Sequence, residues 1–327
     1  MPRMRRQCLS LAAMIAAFAA AAATAAAQNY PTRPVRLIVP AAAGGPSDIM
    51  ARIIGQKLSE AWGQQFIVEN MPTGAGNVGV GMVAKSPPDG YTILTPTSAI
   101  IVNPSLYAKL SYDTVRDFAA VTLAAASPHV LTVTPSLPAR SVQELIALVR
   151  ANPGKYSYAS PGTGTTGQLA GELFKLSLKL DLVHVPFNGA APAITATIGG
   201  HTPMMFGALP GAAPASRDGT LRALAVTSAK RDPGFPDVPT LAESGVPDQE
   251  SEFIQAVLVP TGTPKEIIDK LYREVARVVA LPEVKERLAA IGYTPVANTP
   301  DEFAAQIKRD VARWAKVIKD AGIKQIE

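Results

Sequence analysis

The chain has 327 residues, with 31 lysines and arginines against 26 aspartates and glutamates and a hydrophobic share of 47%. Arg3, Arg5 and Arg6 lie in the first 27 residues. The remainder is therefore close to neutral, which excludes a partner selected by charge alone, such as nucleic acid. The single cysteine, Cys8, lies in the same segment, so the rest of the chain has no thiol for disulfides, nucleophilic chemistry or a cysteine metal site.

Those arginines precede an alanine-rich apolar stretch over 9–23 and then Ala25, Ala26 and Ala27. Basic, apolar and small residues in that order make a cleavable secretory signal. The stretch is shorter than the roughly 20 residues a membrane span needs, so 1–27 is expected to be a signal peptide and the mature chain periplasmic.

Short β-rich runs at 35–39, 66–69, 91–95, 130–133, 156–159, 182–185, 204–206, 223–226 and 256–259 alternate with helical patterns. Strand and helix in turn predict an α/β fold with mainly parallel strands. Over 46–62, Ile49, Ile53, Ile54, Leu58 and Ala61 share one face before Gly63, the pattern of an amphipathic helix packed on a sheet. Ser141 with Glu144, Thr263 with Glu266, and Thr299 with Glu302 each offer a hydroxyl at the N-cap and a carboxylate three residues on. Such pairs start helices, here also over 264–279 and 300–321. The halves are not separated by a Gly/Ser linker, which favours two short crossings, near 126–127 and 253–254, over tethered domains. One lobe would comprise 28–126 with 254–327, and the other 127–253.

Four segments follow predicted strands, where open α/β sheets bind ligands. The first holds Ala42, Ala43, Gly44, Gly45, Pro46, Ser47 and Asp48 ahead of the 46–62 helix. Small residues leave its backbone uncovered, so N–H groups and the helix dipole can meet an anion, although a plain turn explains the glycines equally well. The second holds Ser160, Gly162, Thr163, Gly164, Thr165, Thr166 and Gly167 ahead of a helix expected from Gln168 to about residue 179. Three glycines and several hydroxyls exceed what a structural turn needs. The others are Thr97 with Ser98, and Phe187 with Asn188, where Phe187 could supply an apolar wall.

The glycines of the second segment also spell G-x-G-x-x-G, the phosphate-binding fingerprint of dinucleotide enzymes. That fingerprint needs an acidic residue at the end of the next strand. Asp181 instead precedes the strand, which ends in Pro186, Phe187 and Asn188. His129, His184 and His201 lack metal-ligand spacing, no adjacent nucleophile and base can be found, and His184 reads as a core histidine. No cofactor, metal or bond-making site is expected. The reading is a non-catalytic receptor for a small anionic solute, with a sensory receptor and, less favoured, a nucleotide-dependent enzyme as alternatives.

The segment Arg33-Pro34-Val35-Arg36-Leu37-Ile38-Val39-Pro40, leading to Gly44-Gly45-Pro46-Ser47-Asp48, resembles the start of the extracytoplasmic receptors of the tripartite tricarboxylate transporter family, also called Bug receptors. The likeness continues through Gly76-Asn77-Val78-Gly79, Pro88-Asp89-Gly90-Tyr91, Leu169-Ala170-Gly171-Glu172, His184-Val185-Pro186-Phe187 and Gly262-Thr263-Pro264. It implies a periplasmic-binding-protein fold (type II) of two lobes with two crossings. Each lobe would hold a mixed, mainly parallel sheet flanked by helices. It also implies a monomer that passes its ligand to membrane permease subunits. The ligand carboxylate would be held by backbone amides, hydroxyls and water at residues 42–47, 97–98 and 160–166. Ala41, Met71, Gln168, Phe187, Asn188, Gly207 and the triplet Ile254, Gln255 and Ala256 depart from the usual pattern, which leaves open the identity of the acid: a di- or tricarboxylate, an aromatic dicarboxylate or an acidic amino acid.

Overall fold

A computed structural model describes residues 30–327, so the segment read as a signal peptide lies outside the described residues. In chain order the elements are β1 (Val35–Val39), α1 (Pro46–Trp62), β2 (Phe66–Asn70), α2 (Asn77–Ala84), β3 (Thr92–Leu94), α3 (Ala99–Leu106), β4 (Phe118–Val133), α4 (Val142–Ala151), β5 (Tyr156–Ser160) and α5 (Thr166–Leu178). They continue with β6 (Leu182–Pro186), α6 (Ala190–Ile198), β7 (Met204–Ala208), α7 (Leu209–Arg217), β8 (Arg222–Val226), β9 (Glu252–Pro260), α8 (Lys265–Ala280), α9 (Pro282–Ala290), β10 (Thr294–Pro295) and α10 (Pro300–Asp320).

The strands pair in the order β2-β1-β3-β9-β4-β7-β5-β6, with β8 and β10 added on β4. The outer strands pair in parallel, β1 with β2 and β3, and β5 with β6 and β7. The central strands β9 and β4 run antiparallel to each other and to β3 and β7. The fold is therefore α/β with a mixed sheet. β4 belongs to both halves of it: residues 118–128 pair with β9, and residues 129–133 pair with β7 and β8. The sequence reading assigned only 130–133 to this strand, because the alanine-rich segment before it carries few of the β-branched and aromatic residues that mark strands, namely Phe118, Val121 and Thr122. Tertiary pairing with β9 makes it extended regardless. At the exchange of partners Pro128 brings no N–H to the ladder, and the Ser127 hydroxyl is buried without a hydrogen-bond partner.

Alternation along β1, β3 and β9 sends successive side chains to opposite faces. Leu37, Ile93, Val257 and Val259 pack with Ile53, Ile54 and Leu58 of α1 and Leu271, Val275 and Val278 of α8. Ile38, Leu94, Ala256 and Leu258 pack with α3 and with Phe303, Ile307 and Trp314 of α10. Leu169 of α5 joins this second cluster. Leu131, Val133, Tyr158, Phe174 and Phe206 centre a third around β5 and β7.

The caps explain the helix boundaries. Pro46 opens α1 and Gly63 closes it in the left-handed conformation (φ 68°). Ser141 accepts from the Glu144 N–H, and Thr299 with Glu302 forms a complete capping box on α10. The predicted cap at Thr263 does not form. Its hydroxyl donates to the Pro260 carbonyl, closing the turn after β9, and Pro264 occupies the N-cap position instead. The second glycine-rich segment enters its helix at Thr166, two residues earlier than expected, because Thr165 caps it through the Gln168 N–H.

Gly171 shows how closely α5 lies on β5. A Cβ there would sit 2.2 Å from the edge of the Tyr158 ring, which is buried and held by a hydrogen bond from its hydroxyl to Glu172 at 2.7 Å. The ring cannot yield without losing that bond. Gly171→Ala should destabilise the protein by about 1–3 kcal/mol, the cost of overpacking, measured as a lower urea midpoint at unchanged slope.

Candidate functional site

The first glycine-rich loop joins β1 to α1 and the second joins β5 to α5, and both are built on one plan. Gly44 and Gly164 have φ of +81° and +79°, conformations that favour glycine. Each donates its N–H to the side chain four residues on, Gly44 to Asp48 Oδ2 at 2.9 Å and Gly164 to Gln168 Oε1 at 2.7 Å. Asp48 and Gln168 are both buried in the first turn of their helices. Each glycine amide is thus fixed by an internal acceptor. Among the described residues the N–H groups of Ser47 and Asp48 in α1, and of Thr166 and Gly167 in α5, have no protein acceptor. First-turn amides of this kind, at the positive end of a helix dipole, stabilise an anion.

Several candidate hydroxyls are already committed within the protein. Ser98 is buried, donates to the Glu252 carbonyl at 3.1 Å and accepts from the Ile254 N–H at 3.0 Å, which ties the start of α3 to the start of β9. Thr97 accepts from the Ala99 N–H at 3.3 Å. Ser160 bonds Gly162 and His184, and Thr165 donates to the Gly162 carbonyl at 2.7 Å while capping α5. Ala42, Ala43, Thr163 and Asn188 are exposed, and Phe187 is half-buried against Met205 and Ala193. The loops after β5 and β6 are joined by Phe187 N–H to Ser160 and Gly189 N–H to Pro161. The second loop also meets α3: a Cβ on Gly164 would lie 2.7 Å from Leu106 Cδ1.

Charge near the first loop is balanced locally. Arg52 bonds Asp48 Oδ2 at 3.0 Å, and this hydrogen bond, with that from Gly44, holds the Asp48 carboxyl below its ordinary range despite burial. Asp48 stays ionised and is offset by Arg52. No lysine or arginine occurs between Pro40 and Asp48 or between Ser160 and Gly167.

The structure also pairs a nucleophile with a base, a contact invisible in the linear sequence. Parallel register sets His184 of β6 beside Tyr158 of β5, and Ser160, two residues on, reaches His184 Nε2 at 2.7 Å. Gln168 Nε2 lies 3.2 Å from His184 Nδ1. The Gly164 N–H can only donate, so it assigns Oε1 of Gln168 as acceptor and Nε2 as donor. Nδ1 of His184 is therefore the unprotonated nitrogen and Nε2 carries the hydrogen. A histidine in that tautomer cannot take the serine proton, so the pair is not an activated nucleophile.

A cavity of about 320 Å³ lies apart from these loops, lined among others by Glu250, Glu252, Asp310 and Arg313. Burial pushes the Glu252 and Asp310 carboxyls up. Among the described residues, no group of three or more His, Cys, Asp or Glu side chains is placed to hold a metal.

Amide-lined loops at strand ends on a mixed sheet with a shared central strand are the arrangement of a solute-binding receptor of the periplasmic-binding-protein fold. The family profile "Tripartite tricarboxylate transporter family receptor" matches residues 50–323, and the chain belongs to that periplasmic family. Protein BugT of Bordetella pertussis is 36% identical over 319 residues, 96% of this chain and 98% of that protein. The structure of R. palustris Rpa4515 with adipate superposes with a TM-score of 0.74 at 38% identity, covering 91% of this chain and all of that one. MatC from Rhodopseudomonas palustris with bound malate gives 0.68 at 31% identity, covering 88% and 100%.

His129, fully buried beneath the second loop, offers a pH test. Its Nδ1 faces the Ser251 carbonyl at 2.9 Å and so donates, leaving Nε2 to accept from the Thr166 hydroxyl at 3.0 Å. Burial lowers its pKa to about 4. The unfolded chain takes up this proton near pH 6.5, before the native protein does, so stability is lost as pH falls from 6.5 to 4. The loss should be about 3 kcal/mol, read by denaturant unfolding across that range, with the His129 ring titrating near 4 by NMR.

Proposed function

We propose that the mature chain is a periplasmic receptor that captures a small organic carboxylate in the cleft between two lobes and delivers it to the permease subunits of a tripartite tricarboxylate-type transporter. The lobes comprise residues 28–126 with 254–327, and 127–253, and residues 1–27 direct export. The observation that carries the reading is the shared plan of the two loops: unpaired first-turn amides with no cationic side chain among them. One such helix end is worth about 0.3–1 kcal/mol to an exposed anion and up to ~2 when partly buried. Two loops acting on the two ends of one ligand suit a dicarboxylate, and the adipate and malate bound to the two similar structures support that class. The protein acts as a monomer in this reading, and closure of the cleft strengthens the amide bonds by removing water.

Adipate and malate should raise the unfolding temperature, since a ligand at a hundred times its dissociation constant adds about 2.7 kcal/mol. Thr166→Pro separates amide capture from hydroxyl contact. Proline is tolerated at the first helical position and removes the N–H, whereas Thr166→Val keeps the N–H and removes the hydroxyl. By calorimetry the proline variant should lose about 10- to 100-fold in affinity, the value of a charge-assisted bond, and the valine variant far less. Equal losses, or failure of the wild type to bind any di- or tricarboxylate, would sink the reading.

A further inference from the structure

We propose that His184 is a positioning residue for the second loop: its unprotonated Nδ1 holds Gln168 in the one amide orientation that fixes the Gly164 N–H, while its Nε2–H orients the Ser160 hydroxyl toward Gly162. The relay runs Gly164 N–H to Gln168 Oε1 at 2.7 Å, Gln168 Nε2 to His184 Nδ1 at 3.2 Å, His184 Nε2 to Ser160 Oγ at 2.7 Å, and Ser160 to the Gly162 carbonyl at 3.2 Å. It begins and ends on the same loop, so that loop is locked at two glycines by one imidazole.

The relay works in one protonation state. A proton on Nδ1 would set a donor against the Gln168 amide hydrogens, and the amide would have to turn, withdrawing Oε1 from Gly164. The surroundings keep His184 neutral. Tyr158 of β5 packs against its ring with centroids 4.9 Å apart. Burial lowers its pKa, Lys175 of α5 also lowers it, and Glu172 of α5 opposes them. In the first loop Asp48 bonds Gly44 without such a gate, so the second loop alone is sensitive to this proton.

The consequence for ligand affinity rests on the carboxylate reading above, whereas the relay itself is testable without ligand. The ¹⁵N imidazole spectrum of the wild-type protein at neutral pH should place the hydrogen of His184 on Nε2, with Nδ1 bare. Gln168→Glu replaces the amide donor with a carboxylate, and His184 should then carry a hydrogen on Nδ1 at the same pH. Hydrogen on Nδ1 in the wild type, or no change in Gln168→Glu, overturns the relay and needs no functional assay. For the loop, His184→Phe and Gln168→Met should each weaken adipate or malate binding about tenfold, the value of one net hydrogen bond. The double variant should lose no more than either alone, because both break one chain. Additive losses, unchanged affinity, or tighter binding on protonation of His184 would refute the positioning role. A wild type that binds neither acid with the predicted imidazole spectrum intact would count against the carboxylate reading and not against the relay.

Discussion

The antiparallel pairing of β4 with β9 is the constraint on which the rest of the structure depends. These two strands are the centre of the sheet, and the parallel strands that carry the loops hang from them on either side. β3 reaches the centre through β9, and β7 through β4. The loops after β1 and β3 therefore belong to one side and those after β5 and β6 to the other. The helices α8 and α10, from the end of the chain, return to pack with β1 and β3, so the first group of strands is completed only after the second has been built.

Anion binding without cations sets a demand that both loops meet by the same means. An amide bonded to its own helix is unavailable to a ligand, and an amide on an unrestrained glycine loop is disordered by its own freedom. Fixing one glycine amide by a buried side chain, and leaving the next amides of the first turn unpaired, satisfies both conditions. The fixing groups differ. A carboxylate at Asp48 brings negative charge toward the anion and needs Arg52 beside it, whereas the neutral amide of Gln168 needs an acceptor for its own hydrogens and finds it in His184.

Much of this was legible in the sequence and some was not, for physical reasons. The β1 run, the amphipathic α1 and the capping box of α10 are local, so residues near each other in the chain specify them. The glycine-rich loops were recognised, and the Gly44 to Asp48 and Gly164 to Gln168 spacing was present as an unread signal. By contrast, the commitment of the Ser98 and Ser160 hydroxyls depends on partners brought by folding, whereas Thr165 finds both of its partners three residues away. The Ser160 to His184 contact arises from strand register, which separates neighbours in space by 24 residues in sequence. The extended state of residues 118–128 comes from pairing with β9, against a composition that does not favour strands.

Ser127 gives the crossing strand a further property. Its hydroxyl is buried without a partner beside Pro128, which supplies no ladder donor. β4 therefore exchanges β9 for β7 and β8 at two adjacent residues that add no side-chain hydrogen bond and, at Pro128, no ladder donor, so the join between the two halves of the sheet lies where the strand is bound least to its neighbours.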